Sequence, residues 1–418
     1  MINVLINAYA VSPTWGSEPG VGWNWIIHLA KYCKLHVITE GEWRDEIESA
    51  MLSLPQAVNI SWYFIPASEK VRKMCWNQGD WRFYWYYRKW QKLAWDKAQE
   101  ILNTRHIDVI HQLNMIGFRE PGYLWKIKHL PFVWGPIGGC TITPLEYMED
   151  SSFKEKFFIR LKNCLNELQF RYDPRVCAAL RRAAAVITPM REMADEITRK
   201  HGNKVLIMPE TGVMGECVSK SEKSSLSNGK LNLLWVGRFI HTKKLDLAIR
   251  VLSRLKGQQV LLHIVGTGQA NLVKGYKDLA LKLGVNDMCV WYGMKTNAEV
   301  HELMKTMDAF FFTSIKDGTS TVVLEALKNR LPIICHNMCA FGALVREKIG
   351  FVIEPRGMQQ SIDAFSSLIT KINANRSLLY EFDGVFEKYA AQLSYSAKAE
   401  TIAQLYSRVI EKTRDDNE

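Results

Sequence analysis

Short apolar runs rich in β-branched and aromatic residues punctuate the chain. In the first half they read "NVLINAY", "LHVITE", "ISWYFIP", "DVIHQLN", "FVWGPIG" and "AAVITP". In the second they read "LNLLWVGR", "VLLHIVG", "CVWYGM", "AFFFTS", "PIICHN" and "GFVIEP". Longer stretches with helical spacing separate them. Strands alternating with helices predict parallel, right-handed βαβ units. Because the pattern runs through both halves, the expected fold class is α/β, with two doubly wound, Rossmann-like parallel-sheet domains.

The run "GECVSKSEKSSLSNGK" at 215–230 is polar, rich in Ser, Lys and Gly, and has no periodicity, so it reads as a linker or loop. The expected organisation is an N-terminal domain over 1–213, a linker over 214–230, a C-terminal domain over 231–394 and a terminal helix over 395–418 that crosses back to the first domain. A length of 418 residues suits two such domains. With 47% apolar and 23% charged residues the chain reads as well-packed and globular. No segment approaches the roughly 20 uncharged apolar residues of a spanning helix. The start "MINVLINAYAV" reads as a first strand rather than a leader, so the expected location is cytoplasmic. Nine scattered cysteines without a Cys-x-x-Cys pair predict neither a disulfide framework nor a metal site. The net charge of +11 predicts an anionic partner.

In open parallel sheets, ligands bind beyond the carboxyl ends of the strands. Several unusual residues fall there. Gly16 to Gly22 follow the first strand, His111 and Gln112 end another, and Gly237 and Arg238 end the first strand of the second half. Lys243 and Lys244 stand where the next helix begins, and cations there oppose the helix dipole unless an anion binds. Arg supplies a planar fork and Lys a mobile point charge, a pair suited to two linked phosphates. The stretch "DGTSTVVLEALKNRLPI" follows "AFFFTS". In it Asp317 and Gly318 allow a turn, Thr319, Ser320 and Thr321 offer hydroxyls and N–H groups, and Glu325 lies about two turns inside the helix. No Gly-x-Gly-x-x-Gly follows the first strand of either half, which argues against a nicotinamide enzyme.

Taken in order, these residues resemble the retaining nucleotide-sugar glycosyltransferases of the family-4 type, which have the GT-B fold of two domains facing a cleft. The pattern strand–Gly–Arg–x5–Lys is matched by Gly237, Arg238 and Lys243, and a strand ending Val-Gly-x-Gly by Val265 to Gly268. Gly293, with Met294 after it, matches the Gly after the next strand. The family's Glu, seven residues and second Glu are matched by Asp317 and Glu325, the first carboxylate being one methylene shorter than usual. In the first half "YAVSPTWGSEPGVGW" resembles the Gly-rich loop, with Gly16 at the turn, and "DVIHQLN" the strand ending in His, although only His111 stands where relatives often have two. The runs "GFREPGYLW" and "WGPIGG" resemble a branch active on bacterial surface polysaccharides.

The resemblance implies a retaining, metal-independent transferase without a cofactor, its nucleotide-sugar donor being a substrate and its acceptor a glycan or a lipid-linked glycan. It places the acceptor on the N-terminal domain and the donor mostly on the C-terminal one. Arg238 and Lys243 would neutralise the diphosphate, and N–H groups from Gly318 to Thr321 would contact its oxygens. Glu325 would hold the ribose hydroxyls, Asp317 would lie near the donor sugar, and His111 would reach the sugar or the reacting centre. Gly16 would let substrates approach the backbone. A nucleotide-sugar epimerase of the same fold and a non-catalytic nucleic-acid-binding protein are the rivals. Residues 69–106 hold nine Lys/Arg, four Asp/Glu and nine aromatics. No nucleic-acid module accompanies them, so an anionic membrane surface is the preferred partner of that segment, on the inner face of the cell membrane.

Overall fold

Seven parallel strands build the first sheet: β1 (Ile2–Ala8), β2 (Cys33–Thr39), β3 (Ile60–Phe64), β4 (Val109–Asn114), β5 (Phe132–Trp134), β6 (Ala185–Thr188) and β7 (Val205–Ile207). Six more build the second: β8 (Leu231–Val236), β9 (Val260–Val265), β10 (Cys289–Gly293), β11 (Ala309–Phe312), β12 (Ile333–His336) and β13 (Gly350–Ile353). The orders are β3-β2-β1-β4-β5-β6-β7 and β10-β9-β8-β11-β12-β13. The computed structural model describes residues 1–77, 80–149, 152–224, 229–346 and 348–415. Each predicted apolar run became a strand. β7, only three residues long, was too short to stand out in the pattern, and it pairs with β6 from Val205 to Ile207.

Both sheets are doubly wound because the chain reverses its direction of growth at the middle. In each sheet the first strand, β1 or β8, sits between its second and fourth strands in sequence. That reversal opens a crevice beyond the strand ends, β1 against β4 and β8 against β11. Buried aliphatic and aromatic side chains fill both faces of each sheet. Leu5 and Ile110 lie on one face of the first and Val4 and Val109 on the other. In the second, Phe311 faces one layer while Phe310 and Phe312 face the opposite one.

The first unit comprises Met1–Cys140, Cys164–Thr211 and Tyr395–Glu418, and the second Thr141–Asn163 and Gly212–Ser394. Helix Tyr395–Asp415 therefore packs within the first unit, burying Ala399, Ile402 and Tyr406 in the layer that holds Trp25 and Leu29. Segment 141–163 differs from the expected boundaries, since it packs with the second unit. Tyr147 anchors it: the ring is buried, and the hydroxyl meets His336 Nε2 at 3.2 Å and Ser361 Oγ at 2.8 Å. Of the 214–230 linker, residues 225–228 lie outside the described residues. The remainder holds a one-turn helix, Lys220–Glu222, closed by a reciprocal Ser219–Glu222 cap.

The basic and aromatic segment 69–106 forms helices Glu69–Trp76 and Arg82–Thr104. Phe83, Tyr87 and Trp90 turn inward and pack edge-on around Tyr9. Several of its cations are already paired, Arg72 with Glu40, Arg82 with Asp80 and Arg88 with Glu120. Trp81, Tyr84 and Trp85 remain exposed, with Lys89 Nζ 3.5 Å from the centroid of the Trp85 ring.

Candidate active site

In the second unit the loops after β8 and β11 meet at the crevice between those strands. The β8 loop must first pass the loop after β9. Gly237 N donates to Val265 O at 3.1 Å and Phe239 N to Thr267 O at 2.8 Å. This lacing explains two glycines. A Cβ on Gly266 would stand 1.9 Å from Gly237 O, and its φ is +139°; a Cβ on Gly268 would stand 2.8 Å from Phe239 O. Only glycine fits both places. Gly293 ends β10 with φ +70° and accepts from Gly266 N at 2.8 Å, and Met294 beyond it is 77% exposed.

The β11 loop is then tied to the β8 loop. Thr313 Oγ1 accepts from Trp235 Nε1 at 3.0 Å and lies 2.9 Å from the carbonyls of Lys243 and Lys244. Ile315 N donates to Thr242 O at 2.9 Å. Segment 141–163 braces both loops. Lys316 Nζ donates to Thr143 Oγ1 at 3.0 Å, and Lys244 Nζ to Tyr147 O at 3.1 Å. No periodic signal marks this strap, so sequence reasoning missed it.

The neighbouring lysines have opposite fates. Lys244 adopts the left-handed conformation at φ +52°, is buried, and pairs with Asp246 at 2.7 Å. It belongs to the framework. Lys243 points toward the β11 loop, where its ammonium donates to Asp317 Oδ2. Asp317 Oδ1 accepts from Gly318 N at 3.0 Å, so this carboxylate orders the turn and does not cap the helix. The helix, Thr321–Lys328, begins after Ser320, whose hydroxyl makes no capping bond. Thr319 and Ser320 are buried, Gly318 is half-buried and Thr321 is exposed. An end without a side-chain cap leaves backbone donors and the positive pole of the helix to other partners. Arg238 is exposed and, among the described residues, makes no ion pair. Glu325 is half-buried on this helix; burial pushes its carboxyl up, while Lys328 acts in the opposite sense. Among the described residues its carboxylate takes no hydrogen bond. The structure thus gathers Gly237, Lys243, Asp317, Gly318, Thr319 and Ser320 around two interlocked loops of one unit.

Residues 219–390 match the family described as glycosyl transferases group 1. This segment is a group 1 glycosyl transferase domain. It contains all the candidate residues of the second unit. Within a longer match of 179 residues, the chain is 24% identical to the D-inositol 3-phosphate glycosyltransferase of Mycobacteroides abscessus, covering 42% of this chain and 39% of that protein. The chain thus spans about two fifths of the length of this curated relative. Solved structures extend the likeness to the whole chain. HepE of Anabaena in complex with UDP is 15% identical over 98% of this chain and 100% of that one, with a TM-score of 0.59. WaaG, a glycosyltransferase involved in lipopolysaccharide biosynthesis, is 17% identical over 96% and 99%, with a TM-score of 0.55. At these identities the likeness is one of fold, and it gives the chain the two-sheet GT-B architecture around its glycosyl transferase domain.

The first unit places its candidates differently from the sequence reading. His111 is 1% exposed and both ring nitrogens are engaged. Nε2 lies 2.5 Å from Gly135 O, which can only accept, so Nε2 carries the proton and Tyr406 donates to Nδ1 at 2.5 Å. Burial holds the ring neutral, its pKa pushed down to about 4. His111 is therefore buried with both ring nitrogens hydrogen-bonded within the first unit. Gly16 is exposed with φ −78°, and a Cβ there would meet nothing within 4 Å. The close approaches belong instead to Gly20, where a Cβ would stand 2.3 Å from Trp15 O, and Gly22, where one would stand 2.6 Å from Ala10 O.

Sequence reasoning also passed over Glu18, inside the quoted Gly-rich loop. Its carboxylate accepts from Ile116 N at 2.5 Å, and burial, with Glu210 adding, pushes its pKa up to about 7. Asn114 joins the loops after β1 and β4 through Ala10, its Nδ2 2.7 Å from Ala10 O. A single acid in the first turn of helix Ser17–Leu29 or a single amide at the end of β4 carries no periodic signature, and only the parallel pairing of β1 with β4 brings these two together.

Proposed function

We propose that the protein is a retaining glycosyltransferase that moves a sugar from a nucleotide-sugar donor to a glycan or lipid-linked acceptor in bacterial surface-polysaccharide synthesis. The observation that carries this reading is the interlocked pair of loops in the glycosyl transferase domain. They bring a lysine, a carboxylate and an uncapped helix end together, beside an exposed arginine. Arg238 and Lys243 are the cations for the diphosphate, and N–H groups of Gly318, Thr319, Ser320 and Thr321 meet its oxygens. Charge grows on the leaving diphosphate as the glycosidic bond breaks, so preorganised cations and dipoles favour the transition state over the ground state. Glu325, whose carboxylate takes no hydrogen bond among the described residues, is suited to ribose hydroxyls, and Asp317 to the donor sugar. Gly293 and Met294 border the donor, and Gly16, donor-binding like them, lets acceptor and diphosphate approach the backbone of the loop that follows β1. Charge neutralisation is assigned here to side chains, without a metal ion.

A lipid-linked acceptor would bring the enzyme to the inner face of the cell membrane. From segment 69–106, the exposed Trp81, Tyr84 and Trp85 with Lys89 and Lys92 are the groups available for that contact. The deciding experiment is a thermal-shift screen of nucleoside diphosphates and nucleotide sugars, followed by donor turnover with and without EDTA and by NMR of the product anomer. Donor consumption with retained configuration, insensitive to EDTA, supports the reading. Sugar isomerisation without transfer would favour an epimerase. Steeply salt-dependent oligonucleotide binding without turnover would favour a nucleic-acid-binding role.

A further inference from the structure

Trp15 stands in the loop between β1 and helix Ser17–Leu29, with 55% of its surface exposed. A single exposed aromatic needs no explanation by itself. This one is presented by a loop that is pinned on both sides. Trp15 N donates to Ser12 Oγ at 3.1 Å, and Thr14 N to the same oxygen at 3.2 Å. Ser12 N donates to Pro19 O at 3.1 Å, which closes the loop on itself. Glu46, from helix Arg44–Met51, accepts from Thr14 Oγ1 at 2.5 Å and from Ser12 Oγ at 3.4 Å. Trp15 O lies so close to the following helix that a Cβ on Gly20 would stand 2.3 Å from it. Fixing this much main chain costs conformational entropy, and the indole it fixes is left outside.

The ring belongs to a triad within the first unit. Trp43, after β2, and Trp76, at the end of helix Glu69–Trp76, lie at centroid separations of 5.6 and 6.4 Å from Trp15 and 5.5 Å from each other. Trp43 is buried and Trp76 half-buried, so they support the exposed ring. Rings at these separations touch. They leave no gap to enclose an ammonium group, so the triad is a platform and not a cage.

Charge selects what rests on the platform. Residues 40–48 hold five carboxylates and one arginine, in a chain whose net charge is +11. Glu42 accepts from Trp76 Nε1 at 2.8 Å, and Glu46 is exposed beside the loop. Several neighbouring cations are taken up in ion pairs, Arg44 with Glu48, Arg72 with Glu40 and Lys73 with Glu69. This rim repels the phosphates of a nucleotide, of nucleic acid or of a lipid headgroup. A neutral pyranose fits it. The C–H face of the sugar is apolar and rests on an aromatic ring, while its hydroxyls donate to carboxylates at the rim.

We propose that Trp15, backed by Trp43 and Trp76 and rimmed by Glu42 and Glu46, is a subsite for an uncharged pyranose unit of the acceptor glycan and selects against uronic acids and phosphorylated sugars. Assigning that sugar to the acceptor rests on the transferase reading, whereas the binding itself does not. Saturation-transfer NMR of the full chain, without donor, uses the methyl glycosides of glucose, galactose, mannose and glucuronic acid as probes. The parent is expected to bind at least one neutral glycoside through its ring C–H protons and to leave the glucuronide unbound. Trp15→Ala should weaken that binding at least tenfold and Trp15→Phe should retain part of it, with melting temperatures recorded to show that both variants are folded. Glu42→Gln combined with Glu46→Gln keeps the hydrogen-bond acceptors and should admit the glucuronide. A parent that binds none of the neutral glycosides, or that takes the glucuronide equally, overturns the proposal, as does parent-like binding by folded Trp15→Ala. Continued exclusion of the glucuronide by the double glutamine variant overturns the role of the rim. A parent dimer that Trp15→Ala dissolves would make the platform a self-interface and overturn the proposal equally. Donor turnover by the parent is measured separately. If no donor is consumed, the transferase reading fails while the glycoside result stands; if donor is consumed and no glycoside binds, the subsite alone fails.

Discussion

Replacing Asp317 by alanine separates the two tasks that the structure gives its carboxylate. One oxygen accepts from Lys243 and the other from Gly318 N. The Lys243 ammonium is thus paired within the protein, with 15% of its side chain exposed against 25% for Asp317. A diphosphate must compete with that carboxylate and is repelled by it. A hydrogen bond between charged groups contributes about 1.5–3 kcal/mol, whereas a pair this near the surface contributes a net of about 1 kcal/mol. Removing the competitor should therefore favour nucleoside diphosphate binding by about 1–2 kcal/mol, roughly five- to thirtyfold in Kd. The amide of Gly318 loses its acceptor, which should lower stability by about 1 kcal/mol. If Asp317 faces the donor sugar, turnover falls while nucleotide affinity rises, a split that a purely structural residue does not produce. Calorimetry with the nucleoside diphosphate that the thermal-shift screen selects, at fixed ionic strength, together with melting temperature and donor turnover on the same preparation, reads all three. Equal or weaker nucleotide affinity in the folded variant would refute the restraint on Lys243, and unchanged turnover per folded molecule would remove Asp317 from the sugar.

Arg238→Ala should weaken nucleoside diphosphate binding about ten- to a hundredfold by calorimetry without moving the melting temperature, since the side chain is exposed; unchanged affinity would take Arg238 out of the site. Gly266→Ala forces a Cβ to 1.9 Å from Gly237 O at φ +139°, so urea unfolding should show a loss of about 3 kcal/mol. A loss below about 1 kcal/mol would mean that the interlocked loops yield easily. The third expectation concerns pH. The folded pKa of His111 is pushed down to about 4, against about 6.5 in the unfolded chain. Its contribution is complete above pH 6.5 and is lost as pH falls toward 4, because over that window the unfolded chain takes up a proton and the folded one does not. The loss reaches about 3 kcal/mol. The stability advantage of the parent over His111→Gln should shrink over that range, and a constant difference would show that the ring is not held neutral.

Alternation of apolar runs with helical stretches determined both sheets, because a strand buried in a parallel sheet must be apolar whatever surrounds it. It left β7 unseen, since three residues cannot establish a period. The residue types at the strand ends marked Gly237, Arg238, Lys243, Asp317 and Glu325, because loops that receive a phosphate need small residues, cations and donors in fixed order along one chain. Other features depended on residues far apart in sequence. Whether Lys243 or Lys244 faces the site was decided by Asp246 and Tyr147 claiming Lys244, a contact across 97 positions. His111 stands at a strand end in the sequence, yet Tyr406, 295 positions away, closes over its ring. Segments 69–106 and 153–172 show the same division. Each sequence displays its aromatic and basic residues, but which side turns inward is settled by the partner surface available, and that surface exists only once the sheet has formed. A period along the chain records what an element needs to bury, while the identity of what covers it belongs to the tertiary structure.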